Sequence, residues 1–279
     1  MLGGDSNSLS DQQGYDDFCQ FLTTVCGIVL GENKQYLVSS RLDQLMNEHG
    51  ITSLTALVTL LKQQPGSAIY TEVVDAMTTN ETSWFRDGYP YDFLSDQLLP
   101  QAEAERKPLR IWSAASSSGQ EPYSISIIIE EYLKNKCSTL RPANIVATDI
   151  SRTVLNDAKE GRFHQMSLDR GMSQARINQH FDSDGNAWKM KEVLKQRISF
   201  REFNLLGNYS ALGKFDVIFC RNVLIYFSSE TKIDILARIA GALNPKGYLI
   251  LGGAESIANY TDRFNVVRLK SGLVYQLKE

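Results

Sequence analysis

The feature that most limits the fold is an alternation of short apolar runs with amphipathic stretches from residue 108 onward. The runs at 109–114, 144–149, 197–203, 215–220 and 247–251 are rich in Ile, Val, Leu and Phe, as buried strands are. Helical stretches lie between them at 122–133, 151–160 and 230–243. In the last of these, Ile233, Leu236, Ile239 and Ala240 are expected to share one face. Strand and helix in alternation imply right-handed βαβ units and a mostly parallel sheet. The chain closes differently: 264–269 and 273–277, separated by Lys270-Ser271-Gly272, read as an antiparallel hairpin. Between the second and third strands, the turn signal around Gly185 and the alternation over 188–193 indicate a small β-insertion at about 175–197.

The stretch 10–80 has the other period. Tyr15, Phe18, Leu22 and Val25 recur at spacings of three and four, as do Val38, Leu42 and Leu45. Leu54, Leu57, Val58 and Leu61 mark a third helix, ended by Gln63-Gln64-Pro65-Gly66, and Val73, Val74 and Met77 begin a fourth. The expected division is therefore a helical domain over 10–80, a linking segment over 81–107 and an α/β domain over 108–279. Residues 1–80 are acidic, with nine Asp or Glu against Lys34, Arg41 and Lys62. The whole chain carries a net charge of −3, so the basic excess of a nucleic-acid-binding protein is missing. The first residues lack a basic segment followed by an apolar one, and no apolar run approaches the roughly 20 residues of a membrane span. Cys19, Cys26, Cys137 and Cys220 form no C-x-x-C pair and read as thiols in a reducing compartment. A cytoplasmic protein without membrane insertion is expected.

Four segments carry the chemistry. The first strand runs into Ser113-Ala114-Ala115-Ser116-Ser117-Ser118-Gly119-Gln120-Glu121-Pro122. Its small residues let a ligand approach the backbone, and the helix that follows offers free N–H groups. It is not G-x-G-x-x-G, so the dinucleotide fingerprint is absent. Glu121 is placed either to meet a ligand's positive charge or simply to face its helix macrodipole. Asp149, ending the second strand, can accept from both hydroxyls of a ribose or serve as a helix cap beside Ser151. The fourth strand ends in Cys220-Arg221-Asn222-Val223-Leu224-Ile225-Tyr226-Phe227, which puts polar groups in the crevice where open α/β sheets bind ligands. There Tyr226 and Phe227 suit either a reaction centre or plain packing. Arg86, in the cluster Thr79-Asn80-Glu81-Thr82-Ser83-Trp84-Phe85-Arg86-Asp87, can grip a carboxylate with two bonds or pair with Asp87 or Glu81. His49, His164 and His180 are scattered, which suggests surface positions and neither a metal site nor a catalytic relay.

Taken together, these segments resemble the CheR family of chemotaxis receptor glutamate methyltransferases over nearly the whole chain. The resemblance implies a small all-α domain followed by a class I S-adenosylmethionine-dependent methyltransferase domain. The latter is Rossmann-like, mostly parallel with an antiparallel C-terminal hairpin, and carries a small antiparallel β-subdomain. It implies S-adenosylmethionine contacts at Asn80, Thr82, Arg86, Glu121, Asp149, Asn204, Leu205, Arg221 and Asn222, with Arg86 and Tyr226 orienting the acceptor. No metal is implied. The partner implied is the helical cytoplasmic methylation region of membrane chemoreceptors, and Lys34 and Arg41, seven apart on the second helix, are expected to face it.

Three features depart from the family pattern. Trp84 stands where Phe is more common, Gly252-Gly253-Ala254-Glu255-Ser256 replaces Gly-His-Ser-Glu-Ser, and the N-terminal domain is acidic. Some family members dock a receptor's C-terminal pentapeptide on the β-subdomain by strand addition. The short turn at Gly185 leads us to expect independence from that tether. The expected reaction turns glutamate carboxylates into methyl esters and S-adenosylmethionine into S-adenosylhomocysteine. A carboxylate has a reference pKa of about 4.3, so it needs no general base at neutral pH. The alternatives are a class I methyltransferase with another acceptor, or an array component that binds S-adenosylmethionine without turnover.

Overall fold

The computed structural model describes residues 5–31, 33–135 and 138–279. Four helices come first: α1 (Asp5–Cys26), α2 (Gln35–Glu48), α3 (Leu54–Gln63) and α4 (Ala68–Met77). Ser53 and Ser67 begin the last two, their hydroxyls accepting from the backbone N–H of Ala56 and Tyr70. Phe18, Leu22, Leu42, Leu57, Leu61 and Val73 meet in a sealed core, as the three-and-four spacing requires.

The chain then passes through α5 (Tyr89–Phe93) and α6 (Leu99–Ala104). Between them the helix widens into a π turn at Leu94–Leu98. Pro100 stands two residues beyond it; it has no N–H to give and its ring crowds the carbonyl one turn back, which favours such a widening.

The α/β part runs β1 (Leu109–Ala114), α7 (Gln120–Asn135), β2 (Ala143–Asp149), α8 (Arg152–Glu160), β3 (Arg162–His164), α9 (Gln165–Leu168), α10 (Gln174–His180), β4 (Phe181–Asp184), β5 (Ala187–Met190), α11 (Glu192–Lys195), β6 (Ile198–Glu202), β7 (Phe215–Cys220), α12 (Ser229–Ala242), β8 (Leu243–Ile250), β9 (Phe264–Arg268) and β10 (Leu273–Leu277). Seven strands form one sheet in the order β6-β2-β1-β7-β8-β10-β9. The first five are parallel, and β10 slots in antiparallel to both β8 and β9. Both faces are covered. Val217 and Phe219 pack with Ile125 and Ile129 of α7, whereas Ile218 and Cys220 pack with Ile235, Leu236 and Ile239 of α12. The chain reverses its direction of winding between β1 and β7, and the crevice beyond their carboxyl ends is where such sheets hold ligands.

Several expectations change here. The second sheet, ordered β3-β5-β4, begins before the 175–197 insertion, because its first strand is Arg162–His164. Three residues are too few to display a period. The alternation over 188–193 is only half strand, since β5 ends at Met190 and Val193 lies 45% exposed on α11. Ile233 is 49% exposed, and Ile235 takes its place on the buried face of α12. His180 is sealed at 1% exposure, held against the Glu131 carboxylate at 3.3 Å; His49 and His164 are exposed. Cys19, Cys26 and Cys220 are free thiols, and Cys137 lies outside the described residues. Among the described residues no helix is long and apolar enough to cross a membrane.

Candidate active site

The loop after β1 is tight. Ala115, Ser117 and Gly119 all take positive φ, at 57°, 50° and 96°. That backbone path turns the Ser117 N–H onto Asp149 Oδ2 at 2.8 Å, while Ser151 N–H donates to Oδ1 at 3.0 Å. Asp149 is thus aimed by backbone donors, Ser117 and Ser151 among them. Burial pushes its carboxyl up despite those bonds. Ser151 itself caps α8 by accepting from Val154 N–H. The cap therefore belongs to Ser151, which leaves Asp149 available to the crevice. The Ser117 hydroxyl donates to the Asn80 carbonyl at 2.8 Å, and the buried Ser116 hydroxyl has no partner among the described residues.

Opposite, at the end of β7, Arg221 enters an ion cluster with its side chain 2% exposed. Nη1 donates to Glu121 Oε2 at 2.9 Å, and Nη2 donates to Asp87 Oδ2 at 2.8 Å and to the Arg86 carbonyl at 2.6 Å. The other Glu121 oxygen accepts from the Ser113 hydroxyl at 2.7 Å. Glu121 and Arg221, each expected to face a ligand, are therefore partners of each other. Burial works against the guanidinium's charge, but its neighbours, Glu121 first and Tyr91 and Asp87 with it, together outweigh this and raise its pKa.

Asn222 stands at φ 57°, a conformation that a small polar side chain tolerates. Glu255 holds it there: Oε2 accepts from the N–H groups of Asn222 (2.6 Å) and Gly252 (2.9 Å), and Oε1 from that of Leu224 (3.1 Å). A Cβ on Gly252 would lie 2.6 Å from Asn222 Nδ2, so the close approach needs glycine. The single turn Leu224–Tyr226 follows, and the Tyr226 carbonyl accepts from Val29 N–H at 2.9 Å. The helical part thereby reaches the turn that follows β7. Asn204 adds a second tie, Nδ2 donating to the Val25 carbonyl at 2.6 Å.

Arg86 follows Phe85, which has φ 48° and whose N–H donates to the Ser124 hydroxyl at 3.1 Å. Among the described residues the half-buried Arg86 guanidinium makes one long hydrogen bond, 3.4 Å to the Glu81 carbonyl, so neither expected salt bridge holds it. Asp87 pairs with Arg221 instead.

One cavity of about 310 Å³ is lined by Lys34, Arg41, Asn80, Thr82, Arg86, Glu121, Asp149, Asn204, Leu205, Arg221, Asn222 and Tyr226, so the residues singled out in sequence all converge on it. Lys34 is exposed at its mouth. Arg41 does not share an open stripe with it, for its fork is turned onto the end of α4. Sequence reasoning missed Asp87, Ser116 and Glu255 as site residues. For Asp87 the polar cluster around it was a signal, and for Ser116 the small-residue loop that contains it; Glu255 binds Asn222 and Leu224, 33 and 31 positions away. An oriented acid at the end of β2, a strained small-residue loop and an unpartnered buried hydroxyl make the cavity suited to a nucleoside ligand.

This strand order, with a nucleoside-type crevice at its reversal point, defines a class I methyltransferase fold. Residues 80–273 match the family model described as CheR methyltransferase, SAM binding domain, and residues 13–78 match CheR methyltransferase, all-alpha domain. The chain belongs to the CheR methyltransferase family. It is 48% identical over 268 residues to the chemotaxis protein methyltransferase Cher2 of Pseudomonas putida, covering 95% of this chain and 98% of that one. It is 47% identical over 272 residues to chemotaxis protein methyltransferase 1 of Vibrio cholerae, covering 97% and 98%.

Proposed function

We propose that this protein methylates glutamate side-chain carboxylates of bacterial chemoreceptors, producing methyl esters and S-adenosylhomocysteine, on the cytoplasmic side of the membrane. The observation that carries the reading is Arg86. It is a guanidinium in the cavity wall, next to a segment pinned by Arg221, with most of its fork uncommitted among the described residues. Such a fork suits a carboxylate.

S-adenosylmethionine supplies a methyl group activated by its sulfonium. Asp149 would hold its ribose hydroxyls, and the Ser116 hydroxyl and the 115–119 backbone would line the rest. Asn80, Thr82, Asn204, Leu205 and Asn222 complete that wall. Arg86 orients the acceptor oxygen, with Tyr226 beside it. An ionised carboxylate leaves the protein no proton to remove, so catalysis rests on positioning and on exclusion of water, and proximity alone can contribute about 7–11 kcal/mol.

The rim supports a protein acceptor. Val29, 46% exposed, and Lys34 line the cavity, and Tyr36 (65% exposed) and Ile225 (58%) are chain neighbours of the lining residues Leu37 and Tyr226, as a helix bearing both carboxylates and apolar residues would require. The turn between β4 and β5 contains only Gly185 and Asn186, which supports activity without a receptor-tail tether. Micromolar binding of a receptor C-terminal pentapeptide would overturn that part.

The test is incubation with labelled S-adenosylmethionine and membranes carrying chemoreceptors. Base-labile methanol from the receptor bands is expected. Binding of the cofactor without transfer to any receptor would refute the proposed acceptor.

A further inference from the structure

Arg41 lies on α2 seven residues after Lys34, and by charge alone the two form a stripe for an acidic partner. The contacts of Arg41 point elsewhere. Its side chain is half-buried, and Nη1 donates to the carbonyls of Met77 at 2.8 Å and Thr78 at 3.1 Å, with a longer contact to Ala76 at 3.4 Å. Nη2 donates to the Thr79 hydroxyl at 3.0 Å. The carbonyls at the end of α4 lack helical donors and carry the negative end of its dipole, so a cation is well placed there.

The bonded segment leads directly into the cavity. Thr78 leaves α4 in an extended conformation, and its hydroxyl accepts from Asn80 Nδ2 at 3.1 Å. The Asn80 carbonyl accepts from the Ser117 hydroxyl, and the Ser117 N–H donates to Asp149. A continuous run of hydrogen bonds therefore joins Arg41, on the helical bundle, to the acid at the end of β2.

We infer that Arg41 is a positioning residue for the S-adenosylmethionine end of the site, fixing residues 78–80 against the loop after β1, and not a contact for the acceptor protein. The inference rests on the cavity being the S-adenosylmethionine site and is independent of which protein is methylated. A lysine cannot take over the task. Its ammonium is one point charge on a flexible stem, whereas the planar fork reaches the carbonyls and the hydroxyl together.

The experiment is calorimetric titration of the full chain with S-adenosylhomocysteine in the absence of any receptor. The variants are Arg41→Lys, Arg41→Ala, Thr79→Ala and, as a charge control far from the cavity, Lys62→Gln. Arg41→Lys is expected to weaken S-adenosylhomocysteine binding about tenfold, and Thr79→Ala about threefold, as changes along a coupling network do. Lys62→Gln is expected to leave it unchanged. In turnover, the KM for S-adenosylmethionine should rise with kcat at saturation and the KM for receptor preserved, a split that general loosening of the fold would not produce. An acceptor contact would give the reverse: S-adenosylhomocysteine affinity within about twofold of wild type for Arg41→Lys and a raised receptor KM. That result overturns the inference. If Arg41→Ala does not fold, Arg41→Lys and Thr79→Ala decide it. Weakened binding by Arg41→Lys in a protein that methylates no receptor would uphold the inference and sink only the proposed acceptor.

Discussion

Arg221 and Glu121 form an ion pair of 2.9 Å across the point where the sheet reverses its winding. One stands at the end of β7, the other in the first turn of α7 after β1, and both are largely shielded from water. The second Arg221 nitrogen holds Asp87 and the Arg86 carbonyl, so a single guanidinium ties two strand ends to the segment that carries Arg86.

Arg221→Ala leaves the Asp87 and Glu121 carboxylates near each other without a counter-charge. The expected loss is about 3–5 kcal/mol, as for breaking a buried pair. Arg221→Lys should recover only part of it, since one ammonium cannot span all three acceptors. Urea unfolding measures both. A loss below about 1 kcal/mol for the alanine variant would mean that the cluster is dispensable.

Arg86 is assigned to orientation, so Arg86→Ala should lower kcat by at least about tenfold, or roughly 1.4 kcal/mol of barrier. Steady-state kinetics with receptor membranes provide the check. A drop smaller than about threefold would remove the role assigned to it.

Glu255 gathers three backbone N–H groups from the ends of β7 and β8. In Glu255→Ala those donors lose their partner at a net cost of about 2–3 kcal/mol, and the Asn222 turn loses its support. Binding of S-adenosylhomocysteine should weaken with it, because Asn222 lines the cavity. Glu255→Gln, which keeps an acceptor oxygen, should fall between the two in a thermal melt and in titration.

At Gly171, φ is 111° and an added Cβ would come within 2.2 Å of the Trp84 carbonyl oxygen. Neither the backbone nor the neighbour can accommodate Gly171→Ala without a shift. The expected cost is about 2–4 kcal/mol, combining strain and overpacking. The Trp84 N–H also donates to the Arg170 carbonyl, so the shift should reach Arg86 two residues on. Lowered turnover together with a lowered Tm is expected.

Burial alone would raise the Glu131 carboxyl, but the hydrogen bond from His180 and the pairing with Arg176 outweigh it and hold the group at about 2. The depressed value gives stability that is present above its unfolded pKa of about 4.3 and lost as pH falls from there toward about 2. Glu131→Gln should therefore flatten the acid limb of the stability curve. The difference from wild type should be roughly 2–3 kcal/mol at neutral pH and vanish near pH 2. Unfolding titrations across that range read it directly. An unchanged acid limb would show that the pair contributes nothing.

Much of the architecture was legible in the chain because it rests on neighbours a few residues apart. The apolar runs at 109–114 and 215–220 coincide with β1 and β7 to the residue, since strands buried on both faces need no partner information to be recognised. The loop at 115–119 and Asp149 were likewise visible, because a strand end followed by a helix start is a local signal. The three-residue β3 was not, and the burial of His180 depends on Glu131, 49 positions away.

Periodicity records which face of an element is buried, and not which group that face will meet. The sequence by itself therefore determined the alternation of the main strands and helices, the positions of the strand-end polar groups and the family they belong to. Only the tertiary structure decided the pairing of Arg221 with Glu121, 100 residues apart, and the turning of Arg41 onto a segment 36 to 38 residues away. Such partners are chosen by how the sheet is wound and how the helices pack against it. A charge that reads as surface in the chain can then become a strut within the site.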